Sequence, residues 1–200
     1  FGLAVTGRVA LEHLQRNDQA QAGDRLMLTK PLGVGILTTA EKRGILRPQD
    51  VNLARDNMVK LNDIGAKLAR LTGVHAMTDV TGFGLMGHLA EVCEGSQLQA
   101  EVEFDKIPLL TDLQYYLDQG CVPGGSGRNF DSYGHKLGAL NEDQLNILCD
   151  PQTSGGLLVA VANDQVTAAE ALCRAAAQDC VWIGHLSAPK DAQKHWISVL

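Results

Sequence analysis

HAMTDVTGFGLMGHLAEV, residues 75–92, holds a strand, a carboxylate, a glycine turn and a helix start without a gap between them. Val74, Ala76 and Met77 predict a short buried strand, Thr78 and Asp79 stand at its end, and Gly82 and Gly84 make the turn. Leu85, Met86, Leu89, Val92 and Cys93 then recur at the spacing of one helical face, and Gly95 marks the stop. The free N–H groups of a first helical turn, with the positive end of the helix dipole behind them, attract a phosphate or other anion, and a carboxylate beside them can hold a cation.

The same grammar extends outward in both directions. Phe1 to Val9 alternates and predicts a strand, and Leu11 to Ala22 is a polar connection ending at Gly23-Asp24. Arg25 to Thr29 predicts a buried strand, followed by the glycine turn Lys30 to Gly35 and a helix from Ile36 to Lys42. Pro48 and Asp50 open one long helix in which Ala54, Met58, Leu61, Ile64, Leu68 and Leu71 keep helical spacing up to Gly73. Gln99 to Phe104 predicts a strand with Val102 and Phe104 on one face, and Asp112 to Leu117 a helix. Gly120 to Tyr133 is so rich in glycine that it predicts an irregular binding loop. Asn141 to Leu148 predicts a helix, Asp150 to Gly156 a turn, Leu157 to Ala162 a buried strand and Asp164 to Ala177 an alanine-rich helix. Val181 to Ile183 and Trp196 to Leu200 are closing strands, split by a Pro189-Lys190 turn. The alternation predicts an α/β (α+β) fold, a layered sheet with packed helices.

Composition narrows the function. A chain of 200 residues with 45% apolar residues can bury a real core. Its net charge of −6 and its lack of any long basic cluster argue against a nucleic-acid partner. Its five cysteines are scattered without a CxxC pair, which suits a reduced, cytoplasmic protein better than a disulfide framework or zinc knuckle. No apolar run reaches membrane-spanning length. The chain opens directly on a strand-like run without an initiator Met, as a fragment would.

Several constellations carry possible chemistry. Gly82-Phe83-Gly84-Leu85-Met86-Gly87 is a formal GxGxxG with Glu103 and Asp105 at the distance of a ribose-binding acid, so dinucleotide binding is one reading. Asp79 works against it, because a carboxylate beside a pyrophosphate requires a bridging metal ion. A third reading leaves the glycines as turn formers and Asp79 or Thr81 as a helix cap. Cys149 to Gly156 reads foremost as a tight structural turn, although two glycines entering a strand also admit a phosphate. Lys30 with Gly33 and Gly35, and Arg128 with Asn129, are further candidate anion sites. His88, on the motif helix, suits a hydrogen-bonded role, and Cys93 and Cys173 suit the core.

Four stretches taken together resemble a known family. TKPLGVGILTTAEKRG (29–44), AMTDVTGFGLMGHLAEV (76–92), VPGGSGRNF (122–130) and CDPQTSGGLLVAV (149–161) closely resemble the selenophosphate synthetases, members of the aminoimidazole ribonucleotide synthetase-like superfamily. The resemblance implies an enzyme making selenophosphate from selenide, ATP and water, with AMP and phosphate as products and Mg2+ bridging the phosphates. It implies that residues 1–22 are the end strand and connection of a missing N-terminal ATP-binding domain and that 23–200 are the superfamily's C-terminal domain. It places the metal ligand at Asp79 and the phosphate side at Thr78, Thr81, Gly82 and Gly84, with Arg128 and Asn129 as further contacts and no catalytic nucleophile in this chain. It further implies a cytoplasmic homodimer in the full-length enzyme, an inactive isolated fragment, and no nucleic-acid or membrane partner. The alternatives are another ATP-dependent superfamily member, of the thiamine-phosphate kinase or hydrogenase-maturation type, and a non-catalytic binding or dimerisation module.

Overall fold

The computed structural model describes residues 2, 4–190 and 195–200. At its centre is a six-stranded sheet of order β2-β4-β1-β5-β3-β6. Its strands are β1 (Arg25–Leu28), β2 (Val74–Asp79), β3 (Gln99–Val102), β4 (Leu157–Val161), β5 (Val181–Ser187) and β6 (Ile197–Val199). Neighbours run antiparallel except β3 and β6, which are parallel.

The two faces of the sheet follow from the pleat, which sends alternate side chains to opposite sides. On β1, Leu26 and Leu28 join one core with their β4 partners Ala160 and Leu158, while Met27 and its partner Val159 join the other. Helices α1 (Val34–Lys42), α2 (Leu53–Val59), α4 (Gly84–Ser96), α5 (Gln114–Leu117), α6 (Gly124–Tyr133) and α7 (Glu142–Leu148) contribute to the larger core. Helices α3 (Ile64–Leu68) and α8 (Val166–Ala175) cover the opposite face through Ile64, Leu68, Ala169 and Cys173. Each fully buried leucine in these layers stabilises the fold by about 2 kcal/mol. Helices packed on a sheet are the expected α/β (α+β) architecture, and Cys93 and Cys173 are core residues as their positions suggested.

The path of the chain excludes the dinucleotide reading of GxGxxG. That fingerprint belongs to a crossover joining neighbouring parallel strands. Here α4 leads from β2 to β3, and β4, β1 and β5 lie between those two strands.

The structure corrects four local expectations. The long helix from Pro48 is a 3-10 turn (Pro48–Asp50) followed by α2 and α3, interrupted at Lys60 to Asp63. Lys60 turns extended (φ −66°, ψ 124°), its carbonyl accepts from Lys30 Nζ at 2.6 Å, and Asn62 Nδ2 donates to the Gly155 carbonyl at 2.8 Å. Hydrogen bonds from two distant glycine motifs thus draw the backbone out of the helix. Second, the expected glycine loop is α6, and its glycines bring the helix close to its neighbours: a Cβ on Gly125 would lie 2.9 Å from Pro151 Cγ. Buried Asn129 and Tyr133 anchor it, which offsets a propensity cost of roughly 1 kcal/mol per glycine. Third, residues 4–10 form no strand and are exposed, and the rest of that expected strand, Phe1 and Leu3, lies outside the described residues. Phe104 likewise leaves β3 to open a 3-10 turn, Phe104–Lys106.

Candidate functional site

Strand β2 ends at Asp79, paired with Leu157 on β4, so the sheet delivers this carboxylate to its edge. Asp79 is exposed, and among the described residues its carboxylate has no hydrogen-bond or ion-pair partner. It opens onto a groove of about 630 Å3 whose lining includes Thr78, Asn62, Arg16 and Asn17. Arg16 is paired with Asp18. Its backbone carbonyl accepts from Met77 N at 3.1 Å, which lays the 15–17 segment along β2 and gives the groove its outer wall.

The turn after Asp79 is held from behind by the second glycine motif. Val80 is buried and its N–H donates to the Gly156 carbonyl at 2.8 Å, while the Thr81 carbonyl accepts from Gly84 N and Gln152 N, each at 3.0 Å. Gly155 fits under Val80, where a Cβ would come within 2.2 Å of the Val80 carbonyl oxygen. Gly84 has φ +70° and lies against the Cys149 backbone. Cys149 to Gly156 is therefore a structural clasp on the Asp79 turn. Gly82 stays exposed, Thr81 is half-buried, and Gly84 is buried under Cys149, away from the groove.

Asn129 belongs to the clasp as well. Its Nδ2 donates to the Gly82 carbonyl at 2.8 Å and the Cys149 carbonyl at 3.0 Å, and Tyr133 on the same helix donates its hydroxyl to the Phe83 carbonyl at 2.5 Å. This occupies the Asn129 amide N–H groups with backbone carbonyls. Arg128 is exposed, with its guanidinium folded back toward Gly124. Burial pushes the Cys149 thiol up to about 11, so it stays protonated and inert at neutral pH.

The glycine turn at Lys30 to Gly35 is already filled by a carboxyl group of this chain. Gly33 (φ +119°) opens α1, Gly35 N donates to Asp150 Oδ2 at 3.0 Å, and Gln152 Nε2 donates to the same oxygen at 2.6 Å. Asp150 comes from 115 residues away to cap this helix. Burial pushes its carboxyl up to about 7, against the opposing pull of those hydrogen bonds. Lys30 is buried too, and its ammonium donates to the carbonyls of Lys60 (2.6 Å) and Ser154 (2.9 Å). Desolvation, with help from the Lys60 charge, lowers its pKa. Lys30 is a lock between the α2–α3 break and the clasp.

The donors left facing the groove are hard oxygens: the Asp79 carboxylate, the Thr78 hydroxyl and the side-chain carbonyls of Asn17 and Asn62. Among the described residues no group of three His, Cys, Asp or Glu side chains converges as a metal cage. A single carboxylate in an open groove suits Mg2+, which keeps several waters and takes its other ligands from phosphates. Sequence reasoning found Asp79 because it is local to its motif. It missed Asn62, Asp150 and the Lys30 lock, whose partners lie far along the chain.

Residues 21–197 match the family described as AIR synthase related protein, C-terminal domain. Selenide, water dikinase from Aeromonas salmonicida (strain A449) is 58% identical over 188 residues, 94% of this chain and 54% of the relative. Selenide, water dikinase from Pseudomonas aeruginosa is 64% identical over 162 residues, 81% of this chain and 47% of the relative. The chain thus spans about half the length of the curated relatives it matches. Among solved structures, thiamine-monophosphate kinase from Stenotrophomonas maltophilia K279a superposes with a TM-score of 0.63 at 19% identity, covering 92% of this chain and 52% of its own. Hydrogenase maturation protein HypE in complex with ATP gives 0.64 at 18% identity, covering 96% and 52%. At those identities the likeness concerns the fold.

Proposed function

The chain belongs to the AIR synthase related proteins as their C-terminal domain, and on that premise we propose that it supplies one wall of the active site in an enzyme forming selenophosphate from selenide, ATP and water, with AMP and phosphate released. The observation that carries the reading is Asp79, a carboxylate without a partner among the described residues, delivered by a strand end to an open polar groove. The identity of 58% to a selenide, water dikinase supports the choice of substrate.

Phosphoryl transfer from ATP depends on positioning and charge neutralisation more than on covalent chemistry by the protein. Asp79 would hold Mg2+, which supplies that neutralisation when bound. Thr78 offers a hydroxyl, and Gly82 an unobstructed backbone, to the phosphates, and Thr81 places its hydroxyl oxygen on the same side. Gly84 shapes the turn, Asn129 fastens it, and Arg128 is free to swing toward an anion. In this reading the nucleophile and the remaining metal ligands reside in an N-terminal domain, the full-length enzyme is a cytoplasmic homodimer, and the present chain alone turns over no ATP. Val59 and Leu61, which flank the groove residue Asn62 and are 68% and 74% exposed, fit a surface that meets another domain.

Asp79→Asn in the full-length protein is expected to cut ATP turnover by at least about a hundredfold while leaving the melting temperature within about 2 °C. Near-normal selenophosphate formation by the folded variant would remove Asp79 from the site. A second reading, another ATP-dependent kinase of this fold, draws on the structural likeness to thiamine-monophosphate kinase and HypE. It predicts thiamine monophosphate turnover, or another ATP-dependent activity, without a response to selenide.

A further inference from the structure

We propose that His88 is a positioning residue for the turn that carries the Asp79 carboxylate, acting through the Thr81 hydroxyl; the inference rests on the reading of Asp79 above. His88 sits in the second turn of α4 and is 7% exposed. Its Nε2 lies 3.0 Å from Thr81 Oγ1. Its Nδ1 is buried without a hydrogen-bond partner and faces the Glu91 carboxylate at 3.6 Å. A bare imidazole lone pair turned toward a carboxylate is repelled, whereas an N–H there is attracted, so the proton belongs on Nδ1 and Nε2 is the acceptor.

That tautomer decides the polarity of Thr81. A hydroxyl has one proton, and giving it inward to His88 leaves both oxygen lone pairs free to face away from the helix. Asp79 and Thr81 flank Val80, which is fully buried, and both reach solvent. Thr81 is thus presented as an oxygen acceptor on the solvent side of the turn that carries the Asp79 carboxylate. A freely rotating hydroxyl would point its positive end at a cation for part of the time. The Phe83 ring lies edge-on to His88, with centroids 6.1 Å apart. Glycine turn, helix and carboxylate together set a hydroxyl rotor that no local sequence rule specifies.

The test uses the full-length protein and two kinds of readout. Long-range 1H–15N spectra of histidine-labelled wild type are expected to show a proton on His88 Nδ1 and a bare Nε2; any Nε2–H signal would overturn the proposal without any variant being made. In steady-state assays, His88→Leu is expected to lower kcat about tenfold with the ATP KM within about twofold, and His88→Gln, whose amide oxygen reaches the place of Nε2, to recover to within about threefold. Thr81→Ala, which removes the hydroxyl itself, should lose at least as much as His88→Leu, and the double variant should be no worse than Thr81→Ala alone, because His88 acts only through that hydroxyl. Independent, multiplying losses would refute the coupling, as would unchanged kcat in His88→Leu. If His88→Leu melts early, His88→Asn removes the acceptor with less change in packing and is read in the same way. Asp79→Asn, run alongside, separates the two ideas: lost activity there with unchanged kcat in His88→Leu overturns only the His88 role, while full activity in Asp79→Asn overturns the site itself.

Discussion

Replacing Asp150 with Asn should change how the stability of this protein responds to pH. Asp150 is 1% exposed, its Oδ2 accepts from Gly35 N and Gln152 Nε2, and its Oδ1 has no partner. Burial raises its carboxyl from 3.8 to about 7, so folded and unfolded chains hold its proton differently between those values. Below about pH 4 both states are protonated and the favourable contribution is fully present. As pH rises toward 7 the unfolded chain ionises first, the folded state holds more protons, and stability falls until the folded carboxyl also titrates. A displacement from 3.8 to about 7, at about 1.4 kcal/mol per pH unit, amounts to about 4 kcal/mol lost across the window. Asp150→Asn keeps an oxygen for the two donors and places an uncharged amide where Oδ1 stood, so this loss disappears. Urea unfolding of both proteins at intervals from pH 4.5 to 8 measures the difference. The variant should lie within about 1 kcal/mol of wild type at the acid end and gain on it steadily, by up to about 4 kcal/mol at pH 8. Glu101 and Asp50 are held below their ordinary range, Glu101 chiefly by Lys190 and Asp50, against desolvation, by Tyr116 and Arg47, so they act at lower pH and in the opposite sense. Parallel curves, or a variant that loses ground as pH rises, would refute the assignment of a buried, reluctantly ionised Asp150.

Two further substitutions probe the clasp. Gly84→Ala places a methyl 2.8 Å from the Cys149 carbonyl carbon at φ +70°, and should cost about 2–3 kcal/mol in chemical denaturation. An equally stable variant would show that the close approach of the two motifs is unnecessary. Lys30→Met removes the donor shared by the Lys60 and Ser154 carbonyls and should destabilise by about 2 kcal/mol, with hydrogen exchange rising first at residues 59–63 and 153–156. Uniform loss of protection over the whole sheet would argue against a local lock.

The legible parts of this protein are those whose cause lies within a few residues. Strand β2, the turn at Gly82 and Gly84, and the apolar face of α4 all declare themselves in the 75–92 stretch, and the helix expected from Asn141 is α7, at whose start Asn141 and Gln144 cap each other. Asp79 was likewise readable, because a carboxylate beside a glycine turn conflicts with a pyrophosphate unless a cation lies between them. The 120–133 segment is illegible locally because its glycines signal backbone freedom in the sequence, while in the fold Gly125 serves close contact with Pro151. The break between α2 and α3 was hidden for a similar reason: Ala54, Met58, Leu61, Ile64 and Leu68 keep helical spacing across it.

What the amino-acid order determined alone was most of the strands, the apolar faces of α4 and of the buried strands, and the carboxylate that stands at a turn. Periodicity and turn chemistry act over one or two turns of chain, so they survive in the linear text. The tertiary structure decided the rest. It placed β4 between β2 and β1, filled the start of α1 with Asp150, turned Asn129 and Lys30 from candidate ligands into fasteners, and left Asp79 without a partner among the described residues. Whether a polar side chain is free for chemistry depends on which distant backbone groups would otherwise be buried unsatisfied, and that is settled only when the chain is packed.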